Sequence, residues 1–214
     1  MQRARTLIQK DERKEVICKA ALTLFKRSGY ESVSFNAIAA EAKFTKSNMY
    51  RYFSSKEEIF LTIFADLFQQ WQKDYLKRLK KCKHNEDIHT FALHWANSFL
   101  KYPKFLDLIP ILFISLEKNS SYEQLIKFKT FSKHLLYDIA CEVGRIYPKM
   151  QGEKAFKLLN LCYAVTSNFW AANSQNEALK KIYEQEEFKD MKPDFNRDLT
   201  DAIEIIVIGI NTHK

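Results

Sequence analysis

The sequence predicts an all-α protein: a three-helix N-terminal module followed by a longer helical bundle. Three observations carry that prediction. The 214 residues include only 4 glycines and 4 prolines, well under half of the roughly 12% expected from average usage. A β-sandwich or barrel needs a turn every ~8–12 residues, and this chain cannot punctuate itself that often. Apolar residues instead recur at helical spacing, on a background of 46% hydrophobic and 28% charged residues. Neither G-x-G-x-x-G nor G-x-x-x-x-G-K-[ST] occurs, so the Gly-rich first loop of a doubly wound α/β fold is missing. The length suits one or two domains and is ample for a core.

The first helix is expected over about Asp11 to Ser28. Val16, Ala20 and Leu24, and Ile17, Ala21 and Phe25, repeat at i, i+4, and Gly29 is a ready left-handed terminator. Ser34 can cap a short second helix with Phe35, Ile38, Ala39 and Ala42 apolar. Thr45 can cap a third, carrying Met49, Tyr50 and Phe53. Ser55-Lys56-Glu57-Glu58 reads as a capping box, serine at the N-cap and glutamate three residues on. It opens a fourth helix through Ile59, Ile63, Leu67 and Trp71 toward Lys83. The cations at its end (Lys77, Arg78, Lys80, Lys81, Lys83) are expected to complement the helix dipole.

Helical hairpins are expected beyond that point. Ile88, Phe91, Ala92, Trp95 and Phe99 form one stripe. Pro103 suits a helix start, and Pro110 should break or kink the next apolar run. A long helix through Tyr122, Leu125, Phe128, Leu135, Ile139 and Val143 should stop before Pro148. Another covers about Glu153 to Asn173, and a last one about Asn196 to Thr212, with a charged loop, Glu184 to Asp194, between them. Ile205-Ile206-Val207-Ile208 reads locally as a strand. It follows Leu199, Ala202 and Ile203 at helical spacing, and no second strand exists to pair with it, so helix is predicted.

Charge is divided unevenly. From Met1 to Ser55 there are 11 Lys/Arg against 5 Asp/Glu, and from Lys56 to Lys214 there are 23 against 21. A basic N-terminal module on a nearly neutral body points to a polyanion as partner. Met1 to Asp11 lacks an apolar stretch of signal-peptide length. The uncharged run Leu158 to Asn176 contains Asn160, Thr166, Ser167, Asn168, Asn173, Ser174, Gln175 and Asn176, which argues against a membrane span. Cys18, Cys82, Cys141 and Cys162 are scattered without a C-x-x-C, as suits reduced thiols in a cytosol. The expected location is cytoplasmic, at the bacterial nucleoid when bound to DNA, with no membrane partner.

The second and third helices, joined by a short turn, make a helix-turn-helix candidate. Ile38, Ala39, Ala42 and Phe44 can pack one helix on the other. The third then presents Lys46, Ser47, Asn48, Tyr50, Arg51 and Tyr52, none acidic. Lys46 and Arg51 can neutralise phosphates or reach guanine, and Asn48 can pair with adenine's edge. The specific residues are Ala20-Ala21-x-x-Leu24-Phe25-x-x-x-Gly29-Tyr30, then Ser34-x-x-x-Ile38-Ala39-x-x-Ala42-x-Phe44-Thr45-Lys46, then Met49-Tyr50-x-Tyr52-Phe53-x-x-Lys56-Glu57. Together they resemble the N-terminal domain of the TetR family of bacterial transcriptional regulators, over about residues 11–60. The resemblance implies an all-α homodimer that binds double-stranded operator DNA as a repressor. It implies a DNA-binding domain at 1–55 and an effector-sensing, dimerising domain at 56–214. Ser34, Thr45, Lys46, Ser47, Asn48, Tyr50, Arg51, Tyr52 and Lys56 are the implied DNA-binding residues, with Tyr52 and Lys56 on phosphates.

Departures from the family pattern limit the carry-over. Gly is usual where Lys43 stands, so a non-Gly residue is expected in a left-handed turn at a cost on the order of 1 kcal/mol. Gly is also frequent at Ser47, and Thr or Ala at Asn48, so no operator sequence is transferred. In the body, Phe64, Phe68, Trp71, Trp95, Phe99, Phe113, Phe128, Phe131 and Trp170 are candidates for a pocket taking an unknown small apolar or aromatic effector. Such stripes are more often simply core, and only the resemblance raises the pocket reading. Two broad apolar helices supply the expected dimer seam: Leu158, Leu161, Cys162, Val165 and Phe169 on one, and Ile203, Ile206, Val207 and Ile210 on the other, flanked by Ile205 and Ile208. The histidines (His84, His89, His94, His134, His213) form no H-x-x-x-H pair, so neither metal nor other cofactor is expected. No nucleophile–base pair is spaced for an enzyme. The alternatives are an adaptor, a thiol sensor using Cys141 and Cys162, or an activator of the same fold.

Overall fold

The computed structural model describes residues 2–212, with side chains described from Lys10; His213 of the histidine set lies outside the described residues. Ten α-helices follow in order among the described residues: α1 Gln2–Ser28, α2 Phe35–Glu41, α3 Lys46–Met49, α4 Lys56–Leu79, α5 Ile88–Ser98, α6 Pro103–Leu108, α7 Tyr122–Ile146, α8 Glu153–Asn173, α9 Glu177–Tyr183 and α10 Phe195–Thr212. A π-helical turn occupies Leu112–Leu116, and 3₁₀ turns occupy Pro148–Met150 and Glu186–Met191. No strand occurs among the described residues, and Ile205 to Ile208 is helical. No described helix is long and apolar enough to cross a membrane.

The differences from expectation have local causes. α1 begins nine residues earlier than its apolar periodicity announces. α4 ends at Leu79 rather than near Lys83, where Arg145 donates to the Leu79 carbonyl at 2.7 Å and to that of Cys82 at 3.1 Å. A long-range guanidinium thus serves the orphan carbonyls of this helix end. α9 was not expected because it buries nothing. Its signal is local, with Asn176 Oδ1 accepting from the Leu179 N–H at 2.9 Å. The charged stretch after it closes as a 3₁₀ turn rather than an open loop.

The chain divides into two compact units, with the divisions falling inside α4, after Pro110 and inside α7. The first runs to Leu67 and also takes in Ile111–Phe131; the second comprises Phe68–Pro110 and the chain from Ser132 onward. In the first unit, Ile17, Ala21, Leu24 and Phe25 of α1 are buried with Ile38, Ala39, Met49, Phe53, Ile59, Phe60 and Ile63. Phe60 meets Phe25 and Tyr30 edge-on, at 5.5 and 5.0 Å between ring centroids. Such pairs add about 0.5–1.5 kcal/mol each beyond area burial. Gly29, at φ 75, stops α1 and donates to the Phe25 carbonyl at 3.0 Å.

Residues 111–131 belong to this unit because polar groups of α4 and its approach reach them. The Ser55 hydroxyl donates to the Asn119 carbonyl at 3.2 Å, and Gln124 donates to the Thr62 hydroxyl at 3.0 Å. Tyr30 and Ser115 share a hydroxyl–hydroxyl bond of 2.9 Å. Glu58 is the hub. Its backbone N–H donates to Ser55 Oγ at 3.2 Å, as the capping box requires. Its carboxylate then accepts from the Ser54 N–H at 2.8 Å and from the Ser121 N–H at 3.0 Å. Burial pushes this carboxyl up, but the hydrogen bonds from Ser121 and Ser54 outweigh it and hold the group below its ordinary value.

The second unit packs α10 against α5 and α8. Its three tryptophans are each satisfied: Trp71 donates to Ser98 Oγ at 2.8 Å, Trp95 to Thr166 Oγ1 at 3.0 Å and Trp170 to Asp107 Oδ1 at 3.1 Å. Buried indoles need such partners.

Candidate nucleic-acid interface

Ser34 begins the motif from an extended conformation, its hydroxyl accepting from the Ala37 N–H at 3.1 Å. The other end of α2 closes as a Schellman motif. Lys43 N–H donates to the Ala40 carbonyl at 3.1 Å and Phe44 N–H to that of Ala39 at 2.8 Å. Lys43 sits at φ 58, the left-handed region expected of it, in the place where glycine is easiest. Thr45 then caps α3, accepting from the Asn48 N–H at 3.2 Å. Ala42 to Thr45 therefore re-aims the chain in four residues.

α3 is short. After Met49 the chain tightens to i, i+3 bonds, Arg51 N–H to the Asn48 carbonyl at 3.2 Å and Tyr52 N–H to that of Met49 at 2.9 Å. Met49 and Phe53 are buried and pin the element. Lys46, Ser47, Tyr50 and Arg51 face solvent, whereas Asn48 and Tyr52 are half-buried. Tyr50 leans on Phe35 at 5.1 Å, and Tyr52 meets Phe44 edge-on at 5.9 Å. Among the described residues no carboxylate pairs with Lys46 or Arg51. The exposed set offers two cations and hydroxyls, and the half-buried Asn48 adds an amide edge, which is the chemistry of phosphate and base contacts.

Lys56 has a different immediate task. Its ammonium donates to the Val33 carbonyl at 3.0 Å and the Tyr30 carbonyl at 3.4 Å, and lies 4.3 Å from the Tyr30 ring centroid. It ties the start of α4 to the loop between α1 and α2. Sequence reading also missed two cations of α1. Arg13 lies over the Phe44 ring at 5.7 Å and Lys14 over Phe53 at 5.5 Å. Nothing in local periodicity announces those contacts.

The nine aromatic candidates for an effector pocket fall in both units. Phe64 and Phe128 pair at 5.8 Å in the first, where Phe131 is half-buried. Phe113, also there, is 52% exposed with the Lys129 ammonium over its ring. In the second, Trp71 stacks on Phe99 at 4.9 Å and meets Trp95 at 5.6 Å and Phe68 at 5.9 Å. Trp170 packs edge-on against Phe195 at 5.0 Å. Phe68, Trp71, Trp95 and Phe99 thus form one connected ring cluster, and Trp170 packs apart from it on Phe195. A surface cavity of about 430 Å³ in that unit is lined by other residues, including Tyr137, Cys141, Arg145 and Phe156.

The residues expected at the seam divide by burial. Leu158, Cys162, Ile203 and Val207 are fully buried in their own chain and Ile210 nearly so, because α10 spends that face on α5 and α8. Leu161, Val165, Phe169 and Ile206 keep exposed surface. The largest outward apolar groups on α10 are Ile205, 70% exposed, and Ile208, 49% exposed. As for a thiol pair, Cys141 is exposed and Cys162 buried, and both are free. Burial pushes the Cys162 thiol well up, which leaves it inert as a nucleophile. No group of His, Cys, Asp and Glu among the described residues is placed to hold a metal ion.

Residues 17–63 match the family described as "Bacterial regulatory proteins, tetR family", and residues 65–214 match "Tetracyclin repressor-like, C-terminal domain". The chain is 43% identical over 54 residues to the HTH-type transcriptional regulator YfiR of Bacillus subtilis, covering 25% of this chain and 26% of that one. It is 32% identical over 74 residues to the HTH-type transcriptional regulator QacR of Staphylococcus aureus, covering 35% and 39%. The alignments thus span well under half of both relatives. Among solved structures, a TetR/AcrR-family regulator from Thermobifida fusca has the same fold, with a TM-score of 0.53 at 18% identity over 95% of this chain and 99% of that one. FadR of Bacillus halodurans gives 0.53 at 14% identity over 94% and 98%.

Proposed function

The chain belongs to the TetR family of DNA-binding transcriptional regulators, and from that membership we propose that it is a homodimeric repressor released from its operator by a small apolar or aromatic effector. The observation that carries the DNA-reading part is the acid-free element after Thr45, with Lys46, Ser47, Tyr50 and Arg51 exposed. Arg51 and Lys46 are assigned to guanine edges or phosphates, and Asn48 to an adenine edge. Ser34 and Thr45 hold their helices by capping and, at exposed positions, offer hydroxyls to phosphates. Tyr50 and Tyr52 supply ring packing with a phenol end for the backbone. Lys56 keeps one N–H beyond its two carbonyl bonds for a phosphate.

The dimer reading rests on the outward faces of α8 and α10. A two-fold pairing of both helices would set two reading heads roughly 34–36 Å apart on a near-palindromic site. The effector reading rests on the aromatic supply of the second unit, and the family description supports repression over activation.

Footprinting on fragments of the source genome tests the proposal, followed by a compound screen for release. A protected near-palindrome, lost in a Lys46→Ala, Asn48→Ala, Arg51→Ala triple variant that still folds, is the expected result. Undiminished protection by that variant would refute the assignment. Arg51→Ala alone should cost about 1–3 kcal/mol if it makes a bidentate base contact.

A further inference from the structure

α1 begins at Gln2, while the family match begins at Ile17. About four helical turns therefore precede the matched region. From Gln2 to Lys10 they carry Arg3, Arg5 and Lys10 and no acidic residue, and Arg13 and Lys14 follow. Helical phase puts Lys10, Arg13 and Lys14 on one side and Asp11, Glu12 and Glu15 on the other. Glu15 is already engaged, pairing with Lys19 at 2.6 Å. Among the described residues no carboxylate pairs with Lys10, Arg13 or Lys14.

Two of these cations sit on the helix-turn-helix itself. Arg13 lies over Phe44 and Lys14 over Phe53, and Phe44 directly precedes the residue that caps α3. A cation held on a ring face is oriented without being neutralised. The basic side of α1 is therefore continuous with the DNA-reading element, fixed to it by ring contacts, and free of compensating charge.

We propose that this side of α1 is a second DNA contact surface, with Lys10, Arg13 and Lys14 holding phosphates that flank the bases addressed by α3. The occupant is double-stranded DNA, because the patch adjoins an element that engages it and matches a phosphate backbone in charge. The proposal rests on the DNA-binding reading above. Phosphate contacts position a protein without carrying sequence information, so this surface adds affinity and footprint length rather than specificity.

The test is fluorescence anisotropy of the full chain on a labelled mixed-sequence 40-bp duplex between 50 and 200 mM salt. Each lost phosphate contact lowers the log–log salt slope by about 0.9. The Lys10→Gln, Arg13→Gln, Lys14→Gln variant should lower it by about 2–3 and weaken binding by on the order of tenfold or more at the lower salt. An Arg13→Lys, Lys14→Arg swap should restore both. Should the triple variant fail to fold, Lys10→Gln at its exposed position should still lower the slope by about 0.9. A wild-type slope in that single variant then overturns the proposal. A folded triple variant with wild-type slope and affinity also overturns it. If Lys46→Gln, Arg51→Gln then loses both, the DNA-reading assignment stands. Absence of any wild-type binding at the lowest salt overturns the underlying reading instead.

Discussion

Replacing Glu58 by alanine should loosen the first unit more than any exposed substitution in it. Glu58 as a residue is 6% exposed, and its carboxylate accepts two backbone N–H groups, one from Ser54 and one from Ser121, 63 residues away. Hydrogen bonds to a charged group contribute about 1.5–3 kcal/mol each, and an abandoned buried donor costs a similar amount. Both donors are part-buried and can regain some water, so a loss near 3 kcal/mol is expected rather than the full sum. That is a large share of a typical domain's stability of about 5–15 kcal/mol. The effect also has a pH signature. Burial raises this carboxyl's pKa, the hydrogen bonds lower it by more, and the folded value lies below the ordinary 4.5. A depressed carboxyl contributes stability that is present above the unfolded value and lost as pH falls through the folded one. Urea unfolding should therefore separate wild type from Glu58→Ala widely at pH 7, and the gap should narrow below about pH 4. Amide exchange at Ser54 and Ser121 should accelerate in the variant. A gap under about 1 kcal/mol at neutral pH, or one that does not narrow in acid, would refute the hub assignment.

Lys43→Gly should raise the melting temperature by a few degrees. Relief of the left-handed strain at φ 58, on the order of 1 kcal/mol, is partly offset by the extra freedom of an unfolded glycine; a lower melting point would contradict the strain. Ile205→Glu and Ile208→Glu should yield a folded 25.3 kDa monomer in sedimentation, whereas Ile203→Glu should unfold the body. A dimer that survives both exposed substitutions places the seam elsewhere. An effector that releases DNA must bind more weakly when the operator is present, because coupling is reciprocal. Calorimetric titration with and without operator checks this, and equal affinities would disqualify the compound.

What was legible in the sequence was what depends on neighbours. Gly29, the caps Ser34 and Thr45 and the serine half of the box at Ser55 all act over three to five residues, so spacing alone locates them, whereas the left-handed Lys43 was legible only through the family resemblance. Long apolar stripes likewise fixed α7 and α8 to within a residue or two. The illegible part was contact at long separation. Glu58 has an obvious local partner, yet its distant one, Ser121, is what draws residues 111–131 into the first unit. Lys56 fits a phosphate contact by pattern, but folding directs its ammonium onto the Tyr30 and Val33 carbonyls. α9 buries too little to leave a periodic trace.

α10 shows how far periodicity can go before three-dimensional information is needed. Its sequence offers apolar groups around most of the circumference, and a helical wheel cannot say which arc the chain keeps for itself. Leu199, Ile203, Val207 and Ile210 are the arc turned inward, which leaves Ile205 and Ile208 facing out. Full burial of an isoleucine is worth about 1.5–3 kcal/mol. At their observed exposures, Ile205 and Ile208 from two copies would contribute about 5 kcal/mol between them. Lost translational and rotational freedom on association costs an estimated 4–15 kcal/mol. The α10 pair alone would therefore give a marginal dimer at best. The outward surface of α8, with Leu161, Val165 and Phe169, has to join it, and that makes the proposed seam a four-helix arrangement rather than a two-helix one.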